Sequence, residues 1–209
     1  MNHHKSVFYF VALVFCSLSS ISSAKVNVIA QTFDSVPHKV VQDTTQRVLV
    51  AVTSGLDPVK EPQVFVDQLS EILDPVIAFD YIARGVMGNY AKDVTKAQVS
   101  QFAKSFKLGL VNTYGNGMSN FSDLEIAVLP PKKPVGEQRR VVVVQEISGG
   151  TDTNLVSYSM AKNNKGQWKI INVVLNGINL GQTFRGQFAA EVKKNKGDVI
   201  KTIDEWGQR

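Results

Sequence analysis

Apolar residues recur along this chain with two different periods, and the change falls near its middle. From Asp34 or Ser35 to about Ser54 the spacing is helical, with Val40, Val41, Val48, Leu49 and Val52 on one face and Gly55 ending the run. Asp57-Pro58 and Asp74-Pro75 each set a capping residue before a proline suited to the first helical position. The second pair is predicted to open a helix through VIAFDYIARGVMG, where Ile77, Phe79, Ile82, Val86 and Met87 form a wide apolar stripe. Thr95 and Gln98 make a capping box. The helix beyond it carries Val99, Phe102, Ala103, Phe106, Leu110, Tyr114 and Met118 at spacings of three and four.

After NFSD the period shortens. LEIAVLP, RRVVVVQEI, NLVSYSMAK and WKIINVVL read as four strands. The breaks between them, PKKPVGEQ, SGGTD and NNKG, are short, polar and glycine-bearing, as antiparallel hairpins require. No stretch between strands is long enough for the helix of a parallel crossover. The predicted class is therefore α+β: a helical part over about 34–120, a curved four-stranded antiparallel sheet over about 123–176, and C-terminal helices over about 183–206, broken near Asn195 to Gly197. Val141 to Val144 are apolar toward both faces, whereas Val156, Tyr158 and Met160 alternate with Ser157 and Ser159. Strict alternation on the last strand puts Ile171, Val173 and Leu175 on one face and Trp168, Ile170, Asn172 and Val174 on the other.

The first residues follow another logic. Lys5 is the only charge before Lys25, Val7 to Leu18 is an apolar run, and Ser22-Ser23-Ala24 supplies small residues for cleavage. That order is a signal peptide over residues 1–24, too short to span a bilayer, followed by one exported domain over 25–209. Cys16 could be read as a lipoprotein acylation site, but Phe15 stands before it where a small side chain is expected and the apolar run continues past it; read as part of the discarded leader, it leaves a mature chain with no cysteine that relies on its core alone. Without Lys5, 22 basic residues (23 − 1) face 18 acidic ones. The charges are dispersed apart from Lys132-Lys133, Arg139-Arg140 and Lys193-Lys194, a pattern poor for nucleic acid and better suited to an anionic membrane surface or an acidic protein face.

Reactive machinery is scarce. His38 is the one histidine after the leader, which with the lack of cysteine removes Cys–His nucleophiles and Cys/His metal sites. No G-x-S-x-G elbow presents a serine. Gly115-x-Gly117 follows a helix, not a strand, so it is no dinucleotide loop. Asp74 reads as a cap, and Asp80, Asp123 and Glu125 as surface carboxylates. NVVLNGINLGQTFRGQF lacks the Lys-Ser/Thr of a phosphate loop. It reads instead as a corner, in which Gly177 and Gly181 free the backbone and Phe184 and Phe188 seat the last helix on the sheet. The surplus is apolar side chains, and periodicity alone does not separate a filled core from a lined cavity.

Two segments carry a family resemblance. Phe79, Asp80, Ala83, Arg84, Val86, Gly88, Tyr90, Thr95, Gln98, Phe102, Phe106, Thr113 and Tyr114 fit one pattern; Trp168, Lys169, Val173, Gly177, Leu180, Arg185, Gln187 and Phe188 fit a second. Together, in this order, they resemble the MlaC/toluene-tolerance family of periplasmic phospholipid-binding proteins, over about Val36 to Trp206. The departures are mild: Tyr90 for a common tryptophan, Asn172 for the usual aspartate and Phe184 for a tyrosine.

The resemblance implies an NTF2-like curved sheet enclosing, with the helices, an apolar cavity for acyl chains. It implies no catalysis and no cofactor beyond bound phospholipid as cargo. It further implies a monomeric periplasmic carrier working between an outer-membrane lipoprotein complex and an inner-membrane ABC transporter complex, to maintain outer-membrane lipid asymmetry. On that reading Phe79, Ile82, Phe106, Leu110 and Tyr114 line the cavity from the helices. Val142, Val144, Val156, Tyr158, Val173 and Leu175 line it from the strands. Arg185 either meets a phosphate at the rim or bonds carbonyls at the corner. The competing readings are an NTF2-like isomerase or hydratase, which needs a general base in the cavity, and a chaperone with an apolar groove.

Overall fold

The computed structural model describes residues 27–29, 31–33, 35–53, 60–118, 124–149 and 152–206, with the backbone alone at 27, 62, 111–118 and 152. The expected leader, Gly55, Asp57-Pro58 and Asp123 lie outside these residues. The helices are α1 (Val36–Thr53), α2 (Pro62–Leu73), α3 (Phe79–Met87), α4 (Lys96–Met118), α5 (Leu180–Lys194) and α6 (Val199–Glu205), with a 3-10 turn at Gly88–Lys92. The strands are β1 (Asn27–Val28), β2 (Glu125–Val128), β3 (Arg140–Gly149), β4 (Asp152–Lys162), β5 (Trp168–Leu175) and β6 (Ile178–Asn179).

The α+β class and the four long antiparallel strands, β2 to β5, agree with the pattern of the sequence. The sheet has six strands in chain order, not four. β1 adds in parallel to β2, and β6 folds back on β5. β6 exists because Asn176 and Gly177 both take positive φ, 48° and 82°, the geometry of a two-residue hairpin turn.

Two helix starts differ from the expected ones. Asp74 does not open a helix; it ends α2 in right-handed helical geometry, and its carboxylate takes the Lys107 amine of α4 at 2.9 and 3.0 Å. The chain after Pro75 is annexed by the sheet instead. The Ile170 amide donates to the Val76 carbonyl at 2.8 Å, and the Ala78 amide to the Ile170 carbonyl at 3.0 Å, so α3 starts only at Phe79. At the other end α5 starts at Leu180, earlier than expected, because the Asn179 side chain accepts the Gln182 amide as its cap. The capping box does form: the Thr95 amide donates to Gln98 Oε1 at 2.8 Å, and the Gln98 amide to Thr95 Oγ1 at 3.3 Å.

Three apolar clusters hold the molecule. The first joins α3 to α6 around Phe102, whose ring meets Phe188 at 4.9 Å, Trp206 at 5.3 Å and Phe106 at 5.8 Å between centroids. Phe184 reaches the same nest edge-on to Phe106, at 5.0 Å. Phe184 and Phe188 thus seat the last helices on α4, not on the sheet. The second cluster joins α1 to one face of the sheet through Val41, Val143, Met160, Trp168 and Ile170. The third joins α1 to α2 through Ala51, Phe65, Leu69 and Ile72.

Candidate functional site

The strand register decides which side chains can share a wall. Val143 stands opposite Tyr158, and Tyr158 opposite Val173, so these three point to one side. Val156 pairs with Leu175, and Gln145 pairs with both Val128 and Val156, which extends the same face across four strands. α1 covers this inner face, since Val41 packs into its cluster and Thr45 hydrogen-bonds Gln145.

A bulge keeps β5 on the inner face along its whole length. Ser159 pairs with Asn172 but Met160 pairs with Ile170, leaving Ile171 as an extra residue. Trp168 and Ile170 therefore join Val173 and Leu175 on one side, contrary to strict alternation, and both are buried in the sheet cluster. Asn172 turns to the outer side and meets α5. A Cβ at Gly181 would lie 2.6 Å from Asn172 Oδ1. Gly181 is needed for this close approach, whereas Gly177 is the corner glycine with positive φ.

The strand residues expected to line a pocket fall on two sides. Val156, Tyr158, Val173 and Leu175 share the inner face. Val142 and Val144 pair with Ser159 and Ser157 on the outer one, where Val142 is 59% exposed. Val143, fully buried, is the inward valine that the run of four conceals. Of the helical candidates, Phe106 is buried inside the aromatic nest, and Phe79, Ile82 and Leu110 are half-buried against it. Tyr114 lies on α4 with its side chain outside the described residues.

Arg185 belongs to the corner. Its Nε donates to the Gly85 carbonyl at 2.7 Å, and its side chain runs past Gly88, where a Cβ would come within 3.4 Å of Nε. Gly88 ends α3 at φ 60° and ψ −125°, a conformation almost confined to glycine. The motif residues Gly88 and Arg185 thus build one joint between α3 and α5.

The inner face holds a polar feature that the apolar pattern hides. The Tyr158 hydroxyl donates to Gln145 Oε1 at 2.8 Å, and Gln145 Nε2 donates to Thr45 Oγ1 at 2.8 Å. Gln145 is 3% exposed. Burial pushes the Tyr158 phenol well above its ordinary pKa, and the residue as a whole is half-buried. Farther along the same face, Ile126, Ile147, Val156 and Leu175 are buried or half-buried but, among the described residues, join none of the three clusters. From Val141 to Ile147, Asn154 to Met160 and Trp168 to Leu175 this face holds no Asp, Glu or His.

His38 sits at the start of α1, 2% exposed, with Nδ1 2.9 Å from Ser35 Oγ and its ring 5.5 Å from that of Phe33. Burial lowers its pKa below 6.5. Among the described residues no acidic side chain is paired with it. No group of three or more His, Cys, Asp or Glu able to hold a metal occurs among the described residues. No helix among them is long and apolar enough to cross a membrane.

Comparison with known proteins now becomes specific. The profile of the family described as MlaC protein matches residues 42–208, nearly the whole described fold. The chain belongs to the MlaC family. The toluene tolerance protein ttg2D of Pseudomonas putida is 36% identical over 172 residues, 81% of this chain and 79% of that one. The intermembrane phospholipid transport system binding protein MlaC of Haemophilus influenzae is 23% identical over 150 residues, 69% of each. Among solved structures, the phospholipid-binding protein of Ralstonia solanacearum, in complex with a phospholipid, aligns with a TM-score of 0.69 and 23% identity, over 82% of this chain and 96% of that one. That likeness establishes a shared fold.

Proposed function

We propose that this chain is a periplasmic phospholipid carrier, exported by a cleaved leader, that holds acyl chains between the inner face of the sheet and α1. It works as a monomer between an outer-membrane lipoprotein complex and an inner-membrane ABC transporter complex. The names of its MlaC-family relatives support the cargo and the transport role. The observation in this chain that carries the reading is the inner face around Tyr158: α1 covers it, yet Tyr158, Val173 and Leu175 are only half-buried there. Val156, Val173 and Leu175 supply the apolar wall around it.

The physics of the cargo sets the design. Two acyl chains carry on the order of 30 methylenes, and exposing them to water costs roughly 24 kcal/mol at about 0.8 kcal/mol each. A diffusing carrier has to bury both. The bilayer offers nearly the same gain, so uptake and release run on almost level terms and need a partner's apolar path, not chemistry. An isomerase or hydratase needs a base beside its substrate, and the inner strand residues provide none. The cargo is the only bound group proposed, and Arg185 serves as a joint, not a headgroup ligand.

A transfer assay tests this. Lipid-free protein incubated with vesicles containing a fluorescent two-chain phospholipid should leave with labelled lipid bound, at a fixed stoichiometry. Protein that emerges unlabelled from vesicles of every headgroup would remove the reading.

A further inference from the structure

The two ends of the sheet differ sharply in charge. One end is formed by the loop between β2 and β3 and the turn between β4 and β5, held together where the Lys162 amide donates to the Arg139 carbonyl at 3.0 Å. The loop carries Lys132, Lys133, Arg139 and Arg140, and the turn carries Lys162 and Lys165. Glu137 is the only acid in residues 130–140 and 162–167. At the opposite end stand Glu125, Glu146 and Asp152, with no Lys or Arg in residues 145–149, 152–155 or 174–179. The sheet is therefore a dipole of side-chain charge.

Among the described residues, the cations of the basic end form no ion pair. Lys132, Lys133, Arg139, Arg140 and Lys165 are exposed, and no ion pair among the described residues engages them. Lys162 lies over the Trp168 ring, 5.3 Å from its centroid, and has no ion pair among the described residues. Three cations elsewhere in the fold do have ion-pair partners. Lys107 pairs with Asp74, Lys194 with Glu191 and Lys201 with Glu205. Six cations gathered on two adjoining loops with one acid among them cost self-repulsion, which only an anionic partner relieves.

We propose that this end of the sheet docks the protein on an anionic phospholipid surface. The chemistry favours a bilayer over an acidic protein. A protein interface centres on exposed aromatic or bulky apolar anchors. The two loops of this end expose Lys, Arg, Glu, Gln, Asn, Gly and Pro but no aromatic or bulky apolar side chain, and Trp168, which opens β5 beside them, is buried. Diffuse attraction to a charged membrane needs no anchor, only several cations within a Debye length of the lipid headgroups. The surface is independent of what the interior holds.

The test is flotation of the purified full chain with vesicles of phosphatidylglycerol and phosphatidylcholine, and with phosphatidylcholine alone. A quadruple variant, K132Q/K133Q/R139Q/R140Q, is compared with K92Q/K96Q/K104Q/K193Q, which removes the same net charge from exposed sites on the helices. The protein should float with the anionic vesicles at low salt, not with the zwitterionic ones, and should detach near molar salt. The loop variant should bind the anionic vesicles roughly a hundredfold more weakly, while the helix variant stays within about threefold of the native chain. No flotation of the native protein, equal loss in both variants, or full binding by the loop variant would overturn the proposal. The first of these results would leave an acidic protein as the partner of this end.

Discussion

Tyr158 donates its hydroxyl to Gln145 across a sheet face whose other side chains are mostly valine, isoleucine, leucine, methionine and tryptophan. Gln145 in turn donates to Thr45, so a chain of two hydrogen bonds runs from β4 through β3 to α1, and its second bond ties α1 to the sheet. Removing one partner strands a buried polar atom, which costs more than the bond itself contributes. Tyr158→Phe should lower stability by about 1–3 kcal/mol. Gln145→Leu should cost a similar amount, and the double variant less than the sum, with a coupling of about 1 kcal/mol. Urea unfolding of the four proteins measures this, and strict additivity would show that the pair does not act as a unit.

The two faces of the sheet should answer differently to charge. Val173→Asp places a carboxylate beside Tyr158 on the inner wall, whereas Val142→Asp adds one to a side chain already 59% exposed. The first should abolish lipid co-purification, and the second should leave it intact with a stability change within about 0.5 kcal/mol. Phosphate analysis of the purified variants reads the outcome. Lipid retained at full stoichiometry in Val173→Asp would move the cavity away from this face.

Arg185 should matter for the joint and not for the cargo. Arg185→Ala loses the bond to the Gly85 carbonyl and should cost about 1–2 kcal/mol. Gly88→Ala forces a Cβ into a backbone at φ 60°, ψ −125° and against the arginine stem, for about 1–3 kcal/mol. Both should keep bound phospholipid at temperatures where they remain folded. Selective loss of lipid in a stably folded Arg185→Ala would instead place this residue at the headgroup.

His38 gives the fold a pH dependence whose sign is fixed. Its folded pKa lies below the ordinary 6.5, so the unfolded chain takes up a proton first as pH falls. The stability it contributes is complete above about pH 6.5 and declines as pH drops from there toward the lowered folded value. Native protein should therefore lose more melting temperature between pH 7.5 and 5.5 than His38→Gln does. Equal losses would show that His38 titrates alike in both states.

Much of this fold is written in local pattern, and the site is not. The capping box at Thr95 and the four long strands follow from residue type and period alone. Asp74-Pro75 misleads because the sheet claims Val76 to Ala78, a long-range pairing that no local signal announces. Asn176-Gly177 does announce the β6 hairpin, and its dipeptide is the cue from which that strand could have been read. The wall of the cavity depends on register. In β4 the serines mark the outer face, but in Val141 to Val144 every position is valine and the phase is silent. On β5 one extra residue, Ile171, reverses the alternation midway. Gln145 and Thr45 lie a hundred positions apart, and only the folded sheet makes them neighbours.

Mass spectrometry of an organic extract from the freshly purified protein puts the carrier reading to its most direct test. Two-chain phospholipid should be recovered in a fixed molar ratio to protein, and be much reduced in the Val173→Asp variant under identical handling. An extract free of phospholipid, from protein that also takes up none when offered vesicles, would contradict it.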